Sequence, residues 1–203
     1  MISDIFKGIR KLKEVSINYV YTPYAKLIFY LNGVKFASNL TVYGFLKVIV
    51  TRRGKVVIGK NLTVNSGNNH NIIGRQQKTT FWVEGLLTIG DNVGMSSTAI
   101  ICNHSIAIGD NVTIGGNSVI YDTDFHSLVP EIRLNKSIDK LNAKSGKVTI
   151  KDNVFIGAHS TILKGVTIGF NSVVGACSVV TRDIPDNEIW AGNPAQFIKS
   201  VQI

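Results

Sequence analysis

Cysteine is scarce in this chain: Cys102 and Cys177 are the only two among 203 residues, and they show no CxxC or metal-knuckle spacing. No cysteine-built metal site follows from them. Both fall inside apolar repeats, where cysteine acts as a small hydrophobe, so both are expected to be buried and inert. Acidic residues are few as well, with 13 Asp and Glu against 22 Lys and Arg, a formal +9. That balance favours an anionic partner: a phosphorylated ligand, an acidic glycan, a membrane face or a nucleic acid. The basic residues are spread out rather than interleaved with aromatics, and no nucleic-acid motif is present, so no nucleic-acid partner is expected. Apolar runs long enough to span a bilayer are missing. The N-terminus, "MISDIFKGIRKLKEV", lacks a continuous apolar core and a small-residue cleavage site. It does not read as a secretory signal, and a cytoplasmic protein is expected. Apolar residues make up 44% and charged ones 17%, which argues against wholesale disorder and for a single folded unit.

What the chain has instead is a period. From Ile150 it reads in sixes as "IKDNVF", "IGAHST", "ILKGVT", "IGFNSV", "VGACSV", "VTRDIP", each block opening on Ile or Val. The same phase appears as "IGDNVG", "MSSTAI", "ICNHSI" from Ile89 and, after one inserted residue, as "IGDNVT", "IGGNSV", "IYDTDF" from Ile108. Ile108 and Ile150 stand 42 residues apart, seven whole sixes, so the excursion between them returns in register. One obligatory aliphatic per six residues suits a short extended segment followed by a corner, with Gly, Asn and Asp taking the turn conformations. Such a unit cannot bury its own apolar face, so units stack into a solenoid.

Flanking the repeat lies different material. "IFKGIRKLKEV" sets Ile5, Phe6, Ile9, Leu12 and Val15 along one helical stripe, with Lys7, Arg10, Lys11 and Lys13 mostly on the other side, which predicts a short amphipathic helix. It reads first as a cap over the open end of the solenoid and second as a peripheral contact with anionic lipid. Residues 26–50 alternate and carry Asn-Gly and Tyr-Gly turns, as strands would. The expected organisation is therefore a helix and irregular capping strands over 1–57, the hexapeptide coil over 58–184, and a terminal cap over 185–203, where the repeat is left at Pro185.

The blocks from about Ile89 to Ile198 resemble the hexapeptide-repeat proteins, and the resemblance implies an all-β fold, a left-handed parallel β-helix. "DTDFH" at 122–126, followed by a polar excursion over about 126–147, and "AGNPA" at 191–195 narrow it to hexapeptide O-acetyltransferases that act on sugars or bacterial surface polysaccharides. This resemblance implies that His126 is a general base. It would take the proton of a sugar hydroxyl for attack on acetyl-CoA. Asp124 and Asp122 are the carboxylates best placed to orient the imidazole, and alternation along the strand leaves both as candidates. Ser96 and Ser97, in "GMSST", stand where the sugar enzymes carry an acceptor-binding asparagine.

On the donor side the resemblance implies that acetyl-CoA lies in the groove between coils, against the small residues Ala158 and Ala176. Thr181, Arg182 and Lys199 would meet its nucleotide end, Phe155 would line the groove, and Trp190 would stack on adenine or sugar, or else cap the last coil. The resemblance also implies a homotrimer with the site between subunits. No metal is expected: His104, His126 and His159 lack the close pair that a three-histidine zinc site needs, and His70, in "GNNHN", reads as a solvated turn. Two alternatives stay open, an N-acyltransferase of an amino sugar nucleotide and a non-catalytic scaffold.

Overall fold

A hexapeptide with a single inward aliphatic can hide that side chain only against the equivalent residue one coil above and below. The computed structural model, which describes residues 2–67, 70, 71, 73 and 77–202 (without the side chains of 13–18), has this arrangement. Among the described residues the strands form three sheets of six, eight and six, and strands three apart in sequence order are neighbours in each, except where the last two strands, Glu188–Gly192 and Ala195–Ser200, extend the second sheet. The molecule is thus a three-sided parallel coil of hexapeptides, as the repeat predicts, and this is the left-handed parallel β-helix that the resemblance implies.

The aliphatic columns follow the register. In the first sheet Ile89 pairs with Ile108, Ile108 with Ile150 and Ile150 with Ile168. In the second, Met95, Ile114, Ile156 and Val174 form the column, and Trp190 stands on top of it. The third sheet stacks Phe81, Ile100, Ile120, Ile162 and Val180. All of these side chains are buried, and burying each aliphatic contributes roughly 1.5–3 kcal/mol.

The corners explain the polar letters of the repeat. Between the first and second sheets, Asn39, Asn61, Asn92, Asn111, Asn153, Asn171 and Asn187 all take φ of 56–64°. Each asparagine amide donates to the next in an unbroken ladder of 2.7–3.1 Å bonds. A left-handed residue other than glycine costs roughly 1–2 kcal/mol, and a hydrogen bond of about 0.5–1.5 kcal/mol offsets most of it. The neighbouring aspartates fasten coil to coil: the carboxylates of Asp110 and Asp152 accept the backbone N–H of Asp91 and Asp110 at 2.7 and 2.8 Å. Glycine is required at the opposite corner, where a Cβ on Gly157 would lie 2.5 Å from the Ala176 backbone nitrogen.

The ends differ from the sequence expectation. Helix α1 runs from Ile2 to Leu31, through Pro23, so residues 26–31 are helical rather than extended. The parallel ladder then begins at Lys35–Phe36, well before residue 58. Beyond Pro185 the coil continues for another strand, Glu188–Gly192, which pairs parallel with Val173–Val174 before Ala195–Ser200 returns antiparallel along its edge. In both places tertiary pairing overrode the local pattern.

Candidate active site

At the corner that leads from the third sheet to the first, strand Val119–Tyr121 ends and the coil opens. Thr123 bridges Ser145 in antiparallel fashion, Asp124 N–H donates to Lys144 O (2.9 Å) and Gly146 N–H to Asp122 O (2.9 Å), which closes the base of the excursion. Two helices fill the excursion, α2 (Pro130–Arg133) and α3 (Lys136–Asn142). The Asn135 side chain accepts the Ser137 N–H and so starts α3, as an N-cap does.

This arrangement brings together two groups 13 residues apart. His126 Nδ1 lies 2.6 Å from Asp139 Oδ2, and the second carboxylate oxygen accepts the Ser127 N–H at 2.7 Å. Asp139 is buried whereas the His126 ring is exposed. The hydrogen bond from His126, and after it that from Ser127, holds the Asp139 carboxyl below its ordinary range. An ionised Asp139 takes the proton on Nδ1 and leaves the Nε2 lone pair available. Phe125, immediately before the histidine, has φ of 63°, a strained conformation for a bulky residue. Its ring packs edge-on against Tyr121 at 5.1 Å.

His126 and Asp139 line a cavity of about 560 Å³ between the excursion and the outer face of the third sheet. Trp82, Glu84, Ile101 and Asn103 form the sheet side, and Phe125, Lys136 and Lys140 the excursion side. Lys140 reaches across and donates to both oxygens of Glu84 at 2.8 and 3.0 Å. That contact, more than the weaker one from Trp82, holds the Glu84 carboxyl below its usual value against the opposing effect of burial.

The two aspartates of "DTDFH" are engaged elsewhere. Asp122 is fully buried, and its carboxylate accepts the N–H groups of Asn103 and His104, both at 2.7 Å, fastening the coil below. Asp124 is paired with Lys164 at 2.6 Å. Neither orients His126; Asp139 does. Spacing along the strand could not reveal this, because the partner comes from the excursion's own helix. Its sequence signal was a lone acidic residue in "NKSIDK".

Ser96 accepts from the Asn65 amide at 3.2 Å, on the second sheet's side of the coil. Ser97 is buried at the next corner with φ of 46°, and its Oγ has no partner among the described residues. Ala158 and Ala176 lie at that same corner, partly exposed and exposed respectively. Among the described residues no hydrogen bond uses their N–H groups, whereas the flanking Gly157, His159 and Cys177 N–H groups all bond to the adjacent coil. Two backbone donors one coil apart fit an extended, amide-bearing ligand.

Thr181 and Arg182 are exposed at the corner of the excursion, Phe155 is exposed on the second sheet, and Lys199 is exposed on the final strand. Trp190 is not presented for stacking. It is only 9% exposed, its Nε1 donates to Glu188 at 2.6 Å, and Arg182 covers its ring at 5.4 Å while bonding Gln196. It occupies the inward position of the last rung and caps the coil.

The thiols separate: burial, assisted by Asp122, pushes Cys102 up to about 12, but Cys177 is exposed in a left-handed turn. His70, instead of being solvated, packs edge-on against Tyr21 at 5.5 Å. Among the described residues no three His, Cys, Asp or Glu side chains gather as a metal site would require.

A three-sided coil built on these repeats defines the class: a hexapeptide-repeat β-helix protein. Residues 147–182 match the bacterial transferase hexapeptide (six repeats), and 87–122 match the hexapeptide repeat of succinyl-transferase. Galactoside O-acetyltransferase of Escherichia coli is 42% identical over 50% of this chain and 47% of its own length. Among solved structures, a hexapeptide-repeat acetyltransferase from Vibrio cholerae is 33% identical over 58% of this chain and 64% of its own, with a TM-score of 0.52. A maltose O-acetyltransferase from Clostridium difficile is 26% identical over 97% and 86%, with a TM-score of 0.59. The chain is thus similar to hexapeptide-repeat acetyltransferases over its coil, and it spans about half the length of the curated relatives it matches.

Proposed function

We propose that the protein is an acetyl-CoA-dependent O-acetyltransferase acting on a sugar hydroxyl of a cell-surface polysaccharide or its precursor. The observation that carries this reading is the His126–Asp139 pair at the wall of a cavity large enough for a sugar. Acetylated sugars are also what the named relatives from Escherichia coli and Clostridium difficile make. His126 Nε2 accepts the hydroxyl proton as the sugar oxygen bonds to the thioester carbonyl carbon. The carbon–sulfur bond then breaks, and the imidazolium returns the proton to the departing thiolate. Asp139 fixes the tautomer and stabilises the imidazolium.

The free N–H groups of Ala158 and Ala176 would hold the pantetheine arm, beside Phe155. Thr181, Arg182 and Lys199 would meet the phosphates and nucleotide. Ala158 and Ala176 lie at the far edge of the third sheet from His126 in the same subunit. A homotrimer, in which a neighbouring copy supplies the second wall, would bring donor and base together.

The test is CoA release by purified protein from acetyl-CoA, with mono-, oligo- and lipid-linked sugars and amino sugar nucleotides as acceptors. His126→Ala should abolish acceptor-dependent release while leaving CoA binding within about 3-fold, since uniform binding is separable from proton transfer. Release with an amino acceptor alone would favour N-acylation. The absence of both release and CoA binding would leave a scaffold as the better account.

A further inference from the structure

Helix α1 has two faces, and the coil uses only one. At 100° per residue, Ala25 and Phe29, the buried apolar side chains of α1, lie on one side. Ile2, Ile5, Phe6, Ile9 and Leu12 lie on the opposite side within an arc of roughly 120°, and every one is exposed, Phe6 by 66%. Val20, Leu27, Tyr30 and Leu31 continue the same arc over the half of the helix that touches the coil, and they too face away from it, each more than half exposed. Capping the coil accounts for the inward face and leaves this stripe without a partner. Lys7, Arg10 and Lys11 flank it or lie behind it, all exposed.

The charge has the same polarity. Residues 1–60 contain 11 Lys and Arg and 2 Asp and Glu, so the whole +9 of the chain lies there, and the remaining residues balance at 11 of each sign. In the folded molecule that segment is α1 and the first coils, where Lys35, Lys47, Arg52, Arg53, Lys55 and Lys60 are all exposed. The basic residues are therefore gathered at one end, although along the chain they look dispersed.

We propose that α1 lies on an anionic lipid surface, its apolar stripe at the level of the acyl chains and the basic end of the coil against the headgroups. An exposed apolar stripe combined with a cationic body is the signature of an interfacial helix. No described helix is long and apolar enough to cross a membrane. Charge complementarity favours lipid over the α1 of a second copy as the cover of this stripe, because packing two such helices face to face would bring two positive ends together. The inference is independent of the reaction proposed above.

The experiment is flotation of the full-length protein with vesicles of phosphatidylcholine alone, or with about a third phosphatidylserine, at low and high salt. Two variants are compared, Phe6→Asp/Ile9→Asp and Lys7→Glu/Arg10→Glu/Lys11→Glu. All five side chains are exposed, so circular dichroism and thermal unfolding should match the wild type. The wild type should float with the anionic vesicles, lose that partition at high salt, and fail to float with phosphatidylcholine. Each variant should partition roughly 100-fold more weakly. No flotation of the wild type with anionic vesicles overturns the proposal, as does equal flotation of the apolar-stripe variant. A stripe variant that sediments as a smaller species, with wild type that ignores vesicles, assigns the stripe to contacts between copies instead.

Discussion

At the scale of single residues, the centre of the site is one hydrogen bond, from His126 Nδ1 to Asp139 at 2.6 Å. Asp139→Asn can present an N–H to the ring and so favours the tautomer with its proton on Nε2, where the lone pair is needed. Acetyl transfer should fall in kcat by roughly 10²–10⁴-fold, with a much smaller change in acceptor KM. A purely structural role would instead lower thermal stability along with activity. The same residue sets a pH limit for the excursion. Its folded-state value is depressed by His126 and Ser127, so the order it confers is complete above the ordinary Asp range near ~3.9. That order is lost as pH falls through the depressed value. Limited proteolysis should therefore leave residues 124–144 intact from neutral pH down to about pH 4 and cut them only in stronger acid. In Asp139→Asn that dependence should disappear.

At the scale of elements, α3 is held over the third sheet by Lys140 across Glu84, and it carries Asp139 with it. The lysine is largely exposed, so the pair contributes at most about 1 kcal/mol to global stability. Its effect is on position. Glu84→Ala should shift the melting temperature by less than about 3 °C yet raise acceptor KM or lower kcat by roughly 10-fold, because misplacing a positioned group costs rate steeply. Unchanged kinetics would mean that packing alone places α3. The corner ladders act differently: they are built into every coil, so the rigidity of the platform beneath the excursion does not depend on any one of them.

At the scale of the whole molecule, one subunit carries His126, the proposed base, at one edge of the third sheet and the Ala158 and Ala176 N–H groups at the other. In the proposed trimer a neighbouring copy closes that distance. Sedimentation equilibrium of the purified protein should give three times the chain mass. A trimer mixed from His126→Ala subunits and subunits altered at the donor corner by Ala158→Trp should recover part of the activity that either lacks alone. Recovery requires sites shared between chains, and a monomer that is fully active would remove the need for them.

The period of six, the inward columns and the left-handed Asn corners were all legible in the sequence, because each coil repeats the same short-range chemistry. Even the break was legible: "DTDFH" marks where regularity stops. Trp190 was not readable as the last inward rung, because it follows its partner Val174 by 16 residues and so falls outside the phase of six. Nor was the partner of His126 readable, nor were the true roles of Asp122 and Asp124. Asp122 serves the coil below it, 18 and 19 residues back, and Asp139 serves the histidine from a helix 13 residues on. Sequence by itself determined the coil, since a repeat contacts only its neighbours and one register satisfies every aliphatic. Tertiary structure alone decided which carboxylate meets His126 and which face of the N-terminal helix the coil covers, since side chains in an excursion, or on a helix beyond the coil, find partners according to where the chain has been folded.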